Sequence, residues 1–369
     1  MLCARPLWLL AASPRWSPLR LVMDLSSVVS RLDALAPPAL AESWDNVGLL
    51  VEPTPPHQVR RILLTNDVTE EVLEEALGGG AHLLLSYHPP IFKPLKRLTC
   101  GPWKERLMVR ALEGRLAVYS PHTACDALAN GVNAWLGRAL GPCVSVPLRP
   151  STALSHPGGY SHVLEVRGDL PEAMLSRVSA LQGACVRTYP LRGQDQGGAR
   201  VRLSCSQKAL LQALAILKED PEVYKGVELL ALQKPPLLDT GMGRLCTLSE
   251  PVSIAEAVER VKRHVGVQHL RLALGRGKTM ESSVGVMAVC AGSGSSVLSG
   301  TPADLYLTGE MSHHEVLDAT AEGRSVILCE HSNSERGYLQ ELGVQITHCL
   351  DGKVEVLHAH TDRDPLLVV

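Results

Sequence analysis

Short apolar runs alternate with amphipathic stretches along most of this chain. Residues 62–64 predict a strand that runs out into Thr65, Asn66 and Asp67. Residues 69–77 have helical composition, and Gly78, Gly79 and Gly80 stop the helix. Residues 83–85 predict the next strand, ending at Ser86, Tyr87, His88, Pro89 and Pro90. A helix over 103–112 and a third strand over 116–119, ending at Ser120, Pro121 and His122, complete this stretch. Strands separated by helices imply right-handed βαβ units in a mostly parallel sheet.

A Pro-, Ser- and Gly-rich break at 147–159 precedes a different rhythm. Strands are predicted at 161–166, 184–189, 199–205 and 227–232, and helices at 171–181 and 207–218. The order βαββαβ is that of small ferredoxin-like domains. After Pro235 and Pro236 the βα alternation resumes, with a helix over 254–264 and strands over 285–290, 305–307 and 326–329. The expected division is a leader at 1–23, an N-terminal core segment at 24–157, an inserted domain at 158–235, and a C-terminal core segment at 236–369. The fold class is α/β: a core of two halves with mixed, mostly parallel sheets and an inserted ferredoxin-like domain.

Composition narrows the partners. Lys plus Arg count 36 against 38 Asp plus Glu, a formal net charge of −2. A grip on nucleic acid usually carries a basic excess, so no direct nucleic-acid binding is expected, although a local patch can hide inside a neutral total. Phe92 is the only phenylalanine, so the core must be aliphatic. The ten cysteines form no CxxC pair, which excludes a zinc ribbon and fits free thiols in a reducing compartment. The leader holds Arg5, Arg15 and Arg20 and no acid before Asp24, in the manner of a mitochondrial presequence; alternatively it is dispensable and Met23 starts the chain. Cytoplasm and nucleus, or mitochondrion, are the expected compartments. No apolar stretch reaches the ~20 residues of a membrane span.

In open α/β sheets ligands bind outside the carboxyl ends of the strands. Collected there are Asn66 and Asp67, His88, His122 and Asp126, the loop 292–296, Glu310 with His313 and His314, and His331 with Glu335. His331 and Glu335 are four apart, as are His122 and Asp126, so each pair can converge on one helical turn. Imidazole with carboxylate suits Zn²⁺, Fe²⁺, Mn²⁺ or Ni²⁺ without distinguishing among them; i,i+4 ion pairs are the competing explanation. The Gly-Ser loop is either a tight turn or a phosphate cradle of free backbone N–H groups.

At these residues the chain resembles the NIF-three-like family of NGG-one-interacting factor relatives, also labelled GTP cyclohydrolase type-two-like. The resemblance rests on Ala41-Glu42-Ser43-Trp44-Asp45-Asn46-Val47-Gly48-Leu49, Ser86-Tyr87-His88-Pro89-Pro90-Ile91-Phe92 and His122-Thr123-Ala124-Cys125-Asp126-Ala127. In the second half it rests on Ala291-Gly292-Ser293-Gly294, Leu307-Thr308-Gly309-Glu310 with His314, His331-Ser332-Asn333-Ser334-Glu335 and Thr361-Asp362-Arg363-Asp364-Pro365. These motifs span about 24 to 369 in family order, and the overall length is similar to that of vertebrate members. The resemblance implies one or two divalent metal ions on His88, Asp126, His331 and Glu335; in an enzyme both carboxylates would bridge and Glu310 or His314 would shuttle protons. It also implies a dimer or ring of identical chains. Tyr87 departs from the family, which has a second His there. The implied function is metal-dependent hydrolysis of a small nucleotide-like substrate; the alternative is a non-catalytic transcriptional coregulator or scaffold with a protein partner.

Overall fold

The computed structural model describes residues 22–190 and 199–369. The leader expectation, up to Leu21, lies outside the described residues. Met23, the last residue of that expected leader, is buried and pairs antiparallel with Val59.

One compact unit combines the chain up to Leu148 with Gly243–Val369. It contains a five-stranded sheet in the order Glu355–His358, Arg61–Thr65, Leu83–Ser86, Ala117–Ser120, Gly48–Val51. The first four strands are parallel and the last is antiparallel. Leu83, Leu84 and Leu85 are all buried, as expected of a central parallel strand covered on both faces. The six-stranded sheet runs Arg271–Ala273, Ser325–Leu328, Leu305–Glu310, Ser283–Ser293, Arg244–Ser253, Cys143–Val146. Its three middle strands, Ser325–Leu328, Leu305–Glu310 and Ser283–Ser293, are parallel, and antiparallel strands extend it on both sides.

The two sheets share one apolar core. Ile62, Leu64 and Leu85 of the first join Met287, Val289, Leu307 and Ile327 of the second, with the helices Leu25–Leu35 and Tyr338–Cys349. Local chemistry starts and stops the helices. Thr69 caps Glu70–Gly78 by accepting from the Val72 N–H. Ser253 caps Ile254–Val265, whose last turn carries Lys262, Arg263 and His264 before a left-handed Gly266. Ser253→Ala should therefore cost about 1 kcal/mol, read as a lowered urea midpoint with an unchanged slope.

The second unit, Arg149–Met242, is wider than the predicted 158–235. The extra residues form an antiparallel pair, Arg149–Thr152 with Pro236–Met242, which closes the unit at its base. Its four-stranded antiparallel sheet has the order Ala184–Pro190, Ala199–Cys205, His162–Arg167, Val227–Ala231, the ferredoxin-like arrangement. Helices Glu172–Ser179 and Gln207–Leu217 bury Met174, Val178, Leu210 and Ala213 against Leu164, Val166, Val201 and Leu203.

Candidate metal centre

Two strand exits meet at the carboxyl edges of the two sheets. His88 follows the buried strand Leu83–Ser86, and His331 and Glu335 follow Ser325–Leu328, with Glu335 in the short helix Asn333–Arg336. Glu330, just before His331, takes a left-handed φ of 66° and turns the chain sharply. One ligand atom each from His88, His331 and Glu335 lie within 4.8 Å of one another. Glu335 Oε2 is 3.2 Å from His88 Nε2, and Oε1 is 3.5 Å from His331 Nε2.

The imidazoles are held from behind. His88 Nδ1 donates to Asp67 Oδ1 at 3.0 Å, and His331 Nδ1 donates to Glu310 Oε1 at 2.8 Å. A carboxylate on Nδ1 fixes the ring and directs Nε2 forward, as in metal sites generally. His122 is built the same way, with Asp45 Oδ1 2.8 Å from its Nδ1. Its ring lies 5.2 Å from that of His88, which in turn lies 5.2 Å from His331, giving three imidazoles in a row. The short helix His122–Ala127 starts with His122 itself at a φ of 32°, tied to Asp45 through both Thr123 and the imidazole.

Several features fit a cation. Glu335 is buried, yet its carboxyl stays below the usual range: burial pushes it up, and the charges of His88 and His331 pull it further down. Burial would lower His88, but Glu335 and Asp67 overrule it and raise the metal-free imidazole to about 11. His88 Nε2 is nonetheless buried without a well-formed hydrogen bond, and so is Asn66 Oδ1 beside it. A Cβ on Gly292 would fall 2.7 Å from Glu335 Oε1 and 3.1 Å from His331 Nε2, so glycine leaves room at the ligand atoms. A neutral-nitrogen and carboxylate set of this kind suits a divalent first-row ion.

The other predicted site residues are not among the three whose ligand atoms cluster. Asp126 is outside the triad and accepts a hydrogen bond from the Tyr87 hydroxyl. Its carboxyl is pushed up to about 6 by burial, with His122 and the Tyr87 bond pulling it back. Tyr87 is fully buried, and burial beside Asp126 keeps its phenol protonated. Glu310, expected to shuttle protons, sits behind His331 and orients it. His314 is exposed in the first turn of His313–Ala321, its ring 5.5 Å from His313, and does not join the triad. The loop 292–296 does not hold its glycine N–H groups free for phosphate: Gly292 donates to Ser334 Oγ and Gly294 to Thr308 Oγ1.

Sequence reading left His122 out of the ligand set and gave Asn66 no role. The i,i+4 spacing with Asp126 marks His122 only as one of a pair, and its place in the imidazole row depends on the separate loop that carries Asp45. Asn66 is fully buried, its N–H held by Asp362 Oδ2 at 2.9 Å and its amide nitrogen 3.3 Å from Glu335 Oε2. Asp362 also pairs with Arg336, and Asp364 accepts from Ser332, so the closing segment buttresses both ligand loops.

Residues 23–365 match the family profile Duf34/NIF3 (NGG1p interacting factor 3). The rat NIF3-like protein 1 is 54% identical over 363 residues, covering 97% of this chain and 96% of the relative. The human NIF3-like protein 1 is 53% identical over 354 residues, covering 95% and 94%. NGG1-interacting factor 3 of Saccharomyces cerevisiae is 28% identical over 360 residues, covering 94% and 97%. A crystal structure of a Staphylococcus aureus protein superposes with a TM-score of 0.72 at 22% identity, covering 94% of this chain and 99% of that one. One of a Bacillus cereus protein related to NIF3 gives 0.65 at 23%, with the same coverage. With a fold in common and sequence identity sustained along nearly its whole length, this chain belongs to the Duf34/NIF3 family.

Proposed function

We propose that this protein binds a divalent metal ion on His88, His331 and Glu335 and uses it to hydrolyse a small nucleotide-like substrate. The observation that carries the metal is His88 Nε2, a buried nitrogen facing a carboxylate without a well-formed hydrogen bond. An ion there would supply Lewis acidity. The chain's own residues do the rest. Asp67 and Glu310 keep the imidazoles aimed, and Asp126, with a carboxyl near 6, is the group beside them that exchanges a proton close to neutrality. The substrate class is carried over from the family's cyclohydrolase-like label.

The test is to strip the protein with chelator, reload it separately with Zn²⁺, Mn²⁺, Fe²⁺ or Ni²⁺, and count metal per chain by atomic spectroscopy before running a hydrolase panel. A wild type that takes up none of the four overturns the reading. In the same assay Tyr87→His should raise metal per chain. It removes the phenol that occupies Asp126 and supplies an imidazole next to His122, whose ring is 6.0 Å from that of Tyr87. Unchanged uptake would show that Tyr87 does not limit occupancy.

A transcription-related protein partner is the second reading, supported by the name of the yeast relative. Self-association as a dimer or ring is proposed with it, to be read by light scattering on the purified chain.

A further inference from the structure

The ferredoxin-like unit has a second sheet face, opposite its two helices, and strand register fixes what stands on it. One row across the sheet is Tyr189, Arg200, Arg167. The next is Arg187, Arg202, Glu165, Glu228. Four arginines against two glutamates leave these rows with a net charge of +2. Arg200 stands directly across from Arg167, and Arg187 directly across from Arg202. Like charges in directly opposed positions destabilise a sheet.

The carboxylates answer only some of this charge. Glu165 takes Arg200 at 2.9 Å and Arg202 at 3.8 Å, and Glu228 takes Arg167 at 2.8 Å and Arg200 at 3.8 Å. Arg187 lies against Tyr189 and Cys185, and among the described residues no carboxylate is beside it. Among the described residues the buried Nε of Arg200 has no acceptor. Arg167, Arg187, Arg202 and Tyr189 are exposed. Among the described residues, guanidinium groups on this face outnumber carboxylates by four to two. The sheet face presents a tyrosine ring and planar guanidinium groups, which suit stacked bases better than a peptide needing side-chain pockets.

We propose that this face binds single-stranded nucleic acid, with phosphates on Arg167, Arg187, Arg200 and Arg202 and a base stacked on Tyr189. The expectation drawn from the chain's overall charge gives way here, because the excess is confined to one face and diluted in the total. The binding is independent of the metal centre.

The experiment is fluorescence anisotropy of a labelled single-stranded oligouridylate with the full chain, across a salt series starting at about 50 mM. Binding should weaken as salt rises. Arg187→Ala and Arg202→Ala should each flatten the log–log salt slope by about 0.7. Tyr189→Ala should weaken binding about tenfold at every salt concentration with the slope unchanged, and Tyr189→Phe should restore it. All the substituted residues are exposed on the sheet surface, and circular dichroism checks that each variant is folded. No binding at the lowest salt overturns the proposal. So does binding that ignores Tyr189→Ala and is matched by heparin, which would be contact with a polyanion of any kind.

Discussion

Glu335→Ala should leave the chain with almost no bound metal, a loss of at least about 100-fold in affinity. Removing a group that merely orients a ligand already costs about 10–100-fold, and Glu335 offers its two oxygens to two different imidazoles. His88→Ala should come next. Asp126→Ala should cost less than either, because its carboxylate accepts from Tyr87 outside the triad. That order departs from the sequence-based expectation, in which Asp126 bridges alongside Glu335. Metal per chain across the three variants decides it, and an Asp126→Ala loss equal to that of Glu335→Ala would restore the bridging arrangement.

The same substitution has a signature without metal. Glu335 is depressed below its ordinary 4.5, so its contribution to stability is present above that pH and lost as pH falls through the lowered value. His88 is raised from 6.5 to about 11, so its contribution is complete below 6.5 and lost as pH rises through 11. Chelator-treated wild type should therefore exceed Glu335→Ala in stability most between pH 4.5 and 6.5. Breaking a buried pair costs about 3–5 kcal/mol when the remaining charge stays ionised. The measured gap should be smaller, since His88 can shed its proton. A gap that does not vary with pH would mean the pair is not ionised in the metal-free protein.

Gly292→Ala should abolish most metal binding through shape alone. The added methyl would sit 2.7 Å from Glu335 Oε1 and 3.1 Å from His331 Nε2, in the space beside the ligand atoms. The position also has a φ of +63°, which a side chain tolerates at a cost of about 1–3 kcal/mol. Gly300→Ala separates the two effects. Gly300 has a φ of +76° and nothing within 4 Å of its would-be Cβ, so it carries the strain without the obstruction. Both variants should lose similar stability in urea unfolding, and only Gly292→Ala should lose metal by more than about tenfold. Equal metal content in the two would remove Gly292 from the site.

The ligands were legible because parallel strands end abruptly. An apolar run that stops at His88 or His331 puts that residue at the sheet's carboxyl edge whatever follows. The roles of the groups around them were not. Asp45, Asp67 and Gly292 act through loops whose approach depends on how two sheets dock, and one sequence does not encode that distance locally. Asp126 shows the same dependence: its spacing from His122 is readable in the sequence, and only packing brings the Tyr87 hydroxyl to it. The strands Gly48–Val51 and Cys143–Val146 escape a search for buried runs because they lie at sheet edges and are partly exposed. The helix Tyr338–Cys349 begins directly after Gly337 with no side-chain cap, so its start carries no polar signal.

The position of the inserted unit also sets when the centre can come into being. As the chain leaves the ribosome, His88 emerges first and all of Arg149–Met242 follows before His331 or Glu335 has been made. That unit pairs its own strands and buries its own core, so it can fold while the surrounding sheets are unfinished. The five-stranded sheet is completed only when Glu355–His358 aligns beside Arg61–Thr65, close to the end of synthesis. Until then the cluster of His88, His331 and Glu335 cannot form. On the proposed function, an ion is therefore captured only once the whole chain has been made, from those available in the compartment where the finished protein resides.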